Sequence, residues 1–426
     1  MIPSKVRPLQ TVIILAALFA VSAAPVAHAN PSPIGWLDGV TLDYRLVGWT
    51  LDPGSPEQSL EVHFYVDGAA GHGVFVGAVV ANLLRPDVND VTGYAGDHGF
   101  SFEVPEQYRS GYRFFYAYGT DSATDQHAEL LGSPKTIGVP PNGDATISAV
   151  VGGSPLVIRT FSHLAGAIGS LTWRGQEFID RDDHGRELQS ASSFDNLGEC
   201  YNPTEAGSSV DGPTSTSILQ ALSATANVLT SQTQMAFWLL PGIDYRRPCS
   251  PWLPYTTAQN SQALSNHLLN KRVTVGFAGL DHVIEYLVIF TIPADERHDS
   301  AVFEVLTGYM QPQFSSFWKY NPATRILSPL DYGPEEQDQP VIMATPDGNY
   351  AMGVYSPDLP QDEFPTAGYG RWSFIPDTVK WNCVFRKGNV TPGQHSYRCY
   401  VVVGTLGDVQ NSMDQLHAHF VGDAVK

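Results

Sequence analysis

Between Phe178 and Gly212 the chain reads FIDRDDHGRELQSASSFDNLGECYNPTEAGSSVDG. Asp180, Arg181, Asp182, Asp183, His184, Arg186 and Glu187 fall within eight positions, in a protein with only 16% charged residues. His184 is suited to general acid or base work near neutral pH, and Arg186 to holding an anion. Glu199 and Glu205 flank Tyr201 and Asn202. Two carboxylates of differently tuned acidity are what glycoside hydrolysis requires. A tyrosine or histidine base with a neutralising arginine is what elimination or epimerisation requires. Asp183, Gln189 and Asn202 are expected to bond ligand hydroxyls. The competing reading makes Asp183-His184-Gly185 a tight turn and the glutamates turn caps beside Cys200. Asp180, Asp182, Asp183 and Asp195 form an oxygen-rich set that calcium could use. With no EF-hand loop, solvated acids are the simpler account, so neither a metal nor any other cofactor is expected. G-x-S-x-G, H-E-x-x-H, paired C-x-x-C and a phosphate-binding glycine loop are all missing from the sequence.

The elements that must position this stretch are strands. Residues 1–29 read as an export signal: Lys5 and Arg7, an apolar run from Thr11 to Ala24, then Ala27-His28-Ala29 with cleavage expected near Ala29. That run is too short to span a membrane. Residues 30–139 alternate apolar and polar in LDYRLVGWTLD, SLEVHFYVDG, GVFVGAVVAN, HGFSFEVP and YRFFYAYGTD, the signature of a small sandwich. A Gly- and Pro-rich linker ends near Asp144. From residue 145 to 426 strand-like runs dominate, and only Asp408 to Phe420 carries a helical pattern, through Val409, Met413, Leu416 and Phe420.

Six tryptophans lie in this second part. Trp318 in FSSFWKYNP and Tyr369 are candidates to stack on a sugar ring. Four cysteines in an exported chain suggest two disulfides. Of three connectivities, the favoured one joins Cys383 to Cys399 across a hairpin and leaves Cys200 with Cys249. The formal charge of −19 disfavours nucleic acid and anionic membrane surfaces as partners.

Two stretches resemble known families. GWTLDP, VHFYVDG, RPDVN, GDHGFSFEVP and LLGSP resemble a small β-sandwich module attached to many secreted bacterial proteins, which implies an accessory or binding role. GAIGSLTWRGQEFID resembles the opening of galactose mutarotase-like proteins, with ELQSA where that family places its next strand, and SNHLLN is similar to its histidine motif. This resemblance implies a β-supersandwich that binds saccharide on a concave sheet face. The same fold type serves epimerases, lyases, hydrolases and phosphorylases, so it does not select a reaction. The expectation is an exported all-β protein: an N-terminal small β-sandwich followed by a large two-sheet β-supersandwich. It would cleave or isomerise an oligosaccharide or polysaccharide at the 178–212 loop; the alternative is a non-catalytic glycan-binding or envelope-associated protein. Oligomeric state stays open.

Overall fold

A computed structural model describes residues 32–71, 73–121, 126–294 and 296–423. The expected export signal lies outside the described residues. No described helix is long and apolar enough to cross a membrane.

Residues 34–137 form two antiparallel sheets. One joins Ile34–Val40, Arg45–Leu51, Asp97–Glu103 and Leu83–Leu84; the other is built on Glu61–Val66 and Arg113–Asp121. Their alternating pattern puts Leu37, Leu46, Val62, Phe64, Phe100 and Phe115 into one apolar cluster between the sheets. This half meets the rest of the chain where Gln234 donates to the Tyr116 hydroxyl at 3.3 Å.

From Ala145 onward the ladders make two layers. In one, Leu188–Phe194 pairs with His298–Met310, which pairs with Thr378–Val390, and that with Tyr369–Phe374. In the other, Val228–Phe237, Leu264–Phe277, Leu280–Ile292, Gly393–Gly404 and Ala351–Tyr355 follow in order. The short strand Pro203–Thr204 pairs with both Leu188–Phe194 and Val228–Phe237, bridging the layers at one edge. Inward residues of both layers, among them Phe290, Phe303, Tyr286 and Trp381, share one large core. Alternation is clearest in Leu264–Phe277, where Ser265, His267, Leu269, Lys271, Val273 and Val275 are buried in turn. The helix Leu406–Asp423 buries Val409, Met413 and Leu416 against Val283, Ile342 and Tyr400.

Both expected disulfides are present, Cys200–Cys249 and Cys383–Cys399. The second departs from the hairpin expectation. Cys383 sits opposite Leu306 in one layer and Cys399 opposite Tyr286 in the other, so the bridge crosses the core. The strands turn over at residues 391–392 and face each other through side chains, in place of a shared ladder between the cysteines. Cys200–Cys249 closes a separation of 49 residues. Chain-entropy arguments give such a crosslink about 4 kcal/mol. Cys200→Ser with Cys249→Ser is therefore expected to lower the melting temperature by about 8 °C, measured by calorimetry.

Candidate functional site

The outer face of the first layer carries a cleft of about 640 Å³. Its floor comes from three strands whose side chains stand up in rows: Gln189 and Ala191; Glu304, Thr307 and Tyr309; Thr378 and Lys380. The middle row breaks strict alternation. Glu304 and Tyr309 are an odd number of residues apart, yet both point into the cleft. A register shift between Glu304 and Leu306 explains this. Val305 and Leu306 are both buried in the core, and the extra residue re-aims Thr307 and Tyr309 onto the face Glu304 occupies.

The walls are the end of the strand Tyr369–Phe374 and several loops. Trp372 and Phe374 close one side, Trp238, Tyr245 and Arg247 line another part, and Asp183, Gly185, Arg186, Glu199 and Asn202 come from the 178–212 stretch. The turn at Asp183 is built locally: its Oδ1 accepts the Gly185 N–H at 2.8 Å. A Cβ on Gly185 would stand 2.5 Å from the Trp238 ring, so only glycine lets the turn lie against that indole. Arg186 is held among Asp183, Asp180 and Asp182 at 3.2, 3.5 and 3.9 Å.

Lys380 is the electrostatic centre. Its Nζ lies 3.4 Å from Glu304 Oε2 and over the rings of Trp372 and Tyr309, at 4.8 and 5.1 Å from their centroids. Burial disfavours its charge, but Glu304, Tyr309 and Glu199 outweigh this and hold the ammonium more firmly protonated than usual. Burial likewise pushes the Glu304 carboxyl upward. Lys380 and hydrogen bonds from Thr307 and Asn382 more than offset that, so Glu304 titrates below the ordinary glutamate value. The Thr307 hydroxyl donates to Glu304 Oε2 at 2.6 Å. Glu199 receives one hydrogen bond, from Asn202 Nδ2 at 3.2 Å. Burial dominates there and, with the Glu304 charge, pushes its carboxyl up despite Lys380. One cleft thus holds two carboxyl groups shifted in opposite directions, which is how a site supplies an acid and a base at one pH.

The cleft gathers Asp183, Arg186, Gln189, Glu199 and Asn202 of the sequence candidates, and the others lie elsewhere. Both ring nitrogens of His184 face backbone carbonyls, Ala206 at 2.8 Å and Gly212 at 2.7 Å, leaving neither for a ligand. Glu205 is fully buried against Lys271 Nζ at 2.5 Å. The Tyr201 hydroxyl meets Glu296 at 3.3 Å. Trp318 packs into the apolar cluster under the C-terminal helix. Tyr369 is fully buried, its hydroxyl bonded to the Ser356 backbone. These placements take His184, Glu205, Tyr201, Trp318 and Tyr369 out of direct contact with a ligand in this cleft. Asp180, Asp182 and Asp183 share the Arg186 guanidinium, and Asp195 faces His298.

The sequence candidates omit Glu304 and Lys380, while Trp238 and Trp372 stood undistinguished among the six tryptophans able to stack on a sugar. The signal was there for Glu304 and Lys380: AVFEVLTGYM and TVKWNCVF are apolar strands each carrying one charged residue. An isolated charge on a half-buried strand needs a partner, and the two are each other's.

Glu187, beside Arg186, has no exposure, and neither of its carboxyl oxygens has a hydrogen-bond partner among the described residues. Burial, with Asp183, Glu205 and Asp180 adding to it, pushes its acidity well above the ordinary value. The folded protein therefore keeps the proton that the unfolded chain has released, so the stability present below the unfolded value is lost as pH rises. Glu187→Gln is expected to stabilise by about 1–3 kcal/mol at pH 7–8 and to leave stability unchanged at pH 4. Denaturant melts at both pH values measure this.

No protein-family model matches the chain, and no curated protein sequence does. Among solved structures, the Slr1438 protein of Synechocystis sp. PCC 6803 overlays 63% of this chain and 99% of its own, at 12% identity and a TM-score of 0.32. The alpha-galactosidase of Lactobacillus brevis overlays 63% of this chain and 40% of its own, at 9% identity and TM-score 0.34. An aldose 1-epimerase-like protein from Klebsiella pneumoniae overlays 84% and 95%, at 9% identity and TM-score 0.24. Overlays this loose transfer no chemistry to the present chain.

Proposed function

We propose that the protein binds a saccharide in the Glu199–Glu304 cleft and performs acid–base chemistry on it, cleaving or isomerising a glycan. One observation carries this reading: two carboxyl groups in one cleft, one raised and one lowered, beside two half-buried indoles. Glu199 is the proton donor. Glu304, kept ionised by Lys380, is the base or nucleophile. Trp238, Trp372 and Tyr245 offer flat apolar surfaces for pyranose C–H groups, and Arg186, Arg247 and Asn202 offer donors for hydroxyls. The galactose mutarotase-like resemblance of the 166–180 segment supports a sugar ligand, and the two disulfides accord with export to an oxidising compartment. Residues 30–139 serve as an accessory sandwich.

Incubation with neutral and uronic polysaccharides tests the reading, following new reducing ends, anomeric exchange and the absorbance of unsaturated uronides. Reducing ends indicate hydrolysis, exchange indicates isomerisation, and absorbance indicates elimination. Glycan binding that weakens in Trp238→Ala and Trp372→Ala, with no turnover, replaces the enzyme by a binding protein. No binding and no turnover across the panel overturns the proposal.

A further inference from the structure

We propose that His267, Glu296 and His298 form a divalent transition-metal site, for which zinc is the fitting ion, at the edge where the two layers are joined. His267 comes from the strand Leu264–Phe277, and Glu296 and His298 from the crossing between the layers that opens the strand His298–Met310. Their ligand atoms lie within 4.8 Å of one another. The His267 Nε2 stands 2.8 Å and the His298 Nε2 3.1 Å from the same carboxylate oxygen, Glu296 Oε2, and the Tyr201 hydroxyl reaches that oxygen at 3.3 Å.

Three groups on one oxygen exceed what its lone pairs accommodate well. The far side of His298 sharpens the conflict. Its Nδ1 lies 2.8 Å from Asp195 Oδ2, and Asp195 is fixed by accepting the Asp299 and Ser300 N–H groups at 2.7 and 3.3 Å. With the proton on Nδ1, the His298 Nε2 aims a lone pair at a carboxylate oxygen. That arrangement is repulsive. A metal ion between the two atoms relieves that repulsion, as does a second proton on the ring. A carboxylate on the outer imidazole nitrogen is the usual companion of a metal-bound histidine. The Phe194 ring packs on both imidazoles, with centroids at 4.9 and 4.3 Å, and so fixes their planes. Two imidazoles and one carboxylate, with Tyr201 beside a fourth position, form a zinc-type donor set. The site would tie the layer crossing to the 198–201 turn that presents Glu199, and it does not depend on what the cleft binds.

The test uses tag-free, chelator-treated full-length protein titrated with Zn²⁺ by calorimetry and with Co²⁺ by visible absorption. The expected result is one equivalent bound, with d–d bands of a four- or five-coordinate ion. The melting temperature should rise by about 5 °C at 100 times Kd. Asp195→Asn should weaken binding about 10–100-fold, and His267→Ala with His298→Ala should abolish it. Circular dichroism of the metal-free variants verifies that each still folds. Absence of stoichiometric binding by the wild type overturns the site and makes the cluster a proton-bridged network. Full retention of binding in the double variant overturns it too.

Discussion

Glu199→Gln is expected to lower turnover of the responsive glycan by about 10²–10⁴-fold, the usual weight of a general acid, with KM nearly unchanged. The pH profile supplies the stricter measurement. The proposed acid–base chemistry requires Glu304 ionised and Glu199 protonated. Glu304 titrates below the ordinary glutamate value and Glu199 above it. The rate therefore falls on the acid side as Glu304 gains its proton and on the alkaline side as Glu199 loses its own. Glu199→Gln should remove the alkaline limb from the residual activity. Lys380→Met should move the acid limb to higher pH, since it withdraws the largest influence holding Glu304 low. A profile whose alkaline limb survives Glu199→Gln would assign the acid to another group, with Tyr309 the next candidate on the cleft floor.

The strand content and the C-terminal helix were legible because period-two and helical patterns follow directly from which faces are buried. The pairing of Cys383 with Cys399 was legible too, but its geometry was not. Two strands joined by a short turn can share a ladder or face each other across a core, and local sequence does not separate these. The cleft was half legible. Polar loops advertise themselves, so Asp183, Arg186, Glu199 and Asn202 stood out. The floor did not, because Glu304 and Lys380 each look like a stray charge until the ladder sets Lys380 opposite Tyr309 and Glu304 opposite Val384. The bulge at Val305 is equally silent in sequence. His184 misled for a physical reason: a histidine beside aspartates in a loop is as well suited to stapling that loop through backbone carbonyls as to moving protons. Trp318 and Tyr369 misled because large aromatics are also what fills a core.

Lys271→Met is expected to destabilise the protein by about 3–5 kcal/mol, the cost of leaving one member of a buried ion pair alone. Both side chains are fully buried. Lys271 alternates inward with Leu269 and Val273 on its strand, so the ammonium lies in apolar surroundings with the Glu205 carboxylate as its counter-charge. Glu205 is held from the other side, where its Oε2 accepts the Ser190 N–H at 3.0 Å. Removing the lysine leaves that carboxylate ionised in a dry interior or forces it to bind a proton, and either outcome is unfavourable. The double variant Lys271→Met, Glu205→Gln should recover most of the loss, because no charge then remains to be solvated and the amide can still accept from Ser190. Denaturant melts of the two single variants and the double variant give the coupling directly. A double variant no more stable than Lys271→Met would show that the lysine acts through packing alone. The pair also bears on the cleft: Ser190 follows Gln189, and Ala206, next to Glu205, gives its N–H to Gln189 Oε1 at 3.0 Å. The buried charges thus fix the register between the strand that floors the cleft and the segment carrying Glu199 and Asn202. Loss of glycan turnover in Lys271→Met at temperatures where it remains folded, restored in the double variant, would show that Glu205 contributes to the site by positioning it.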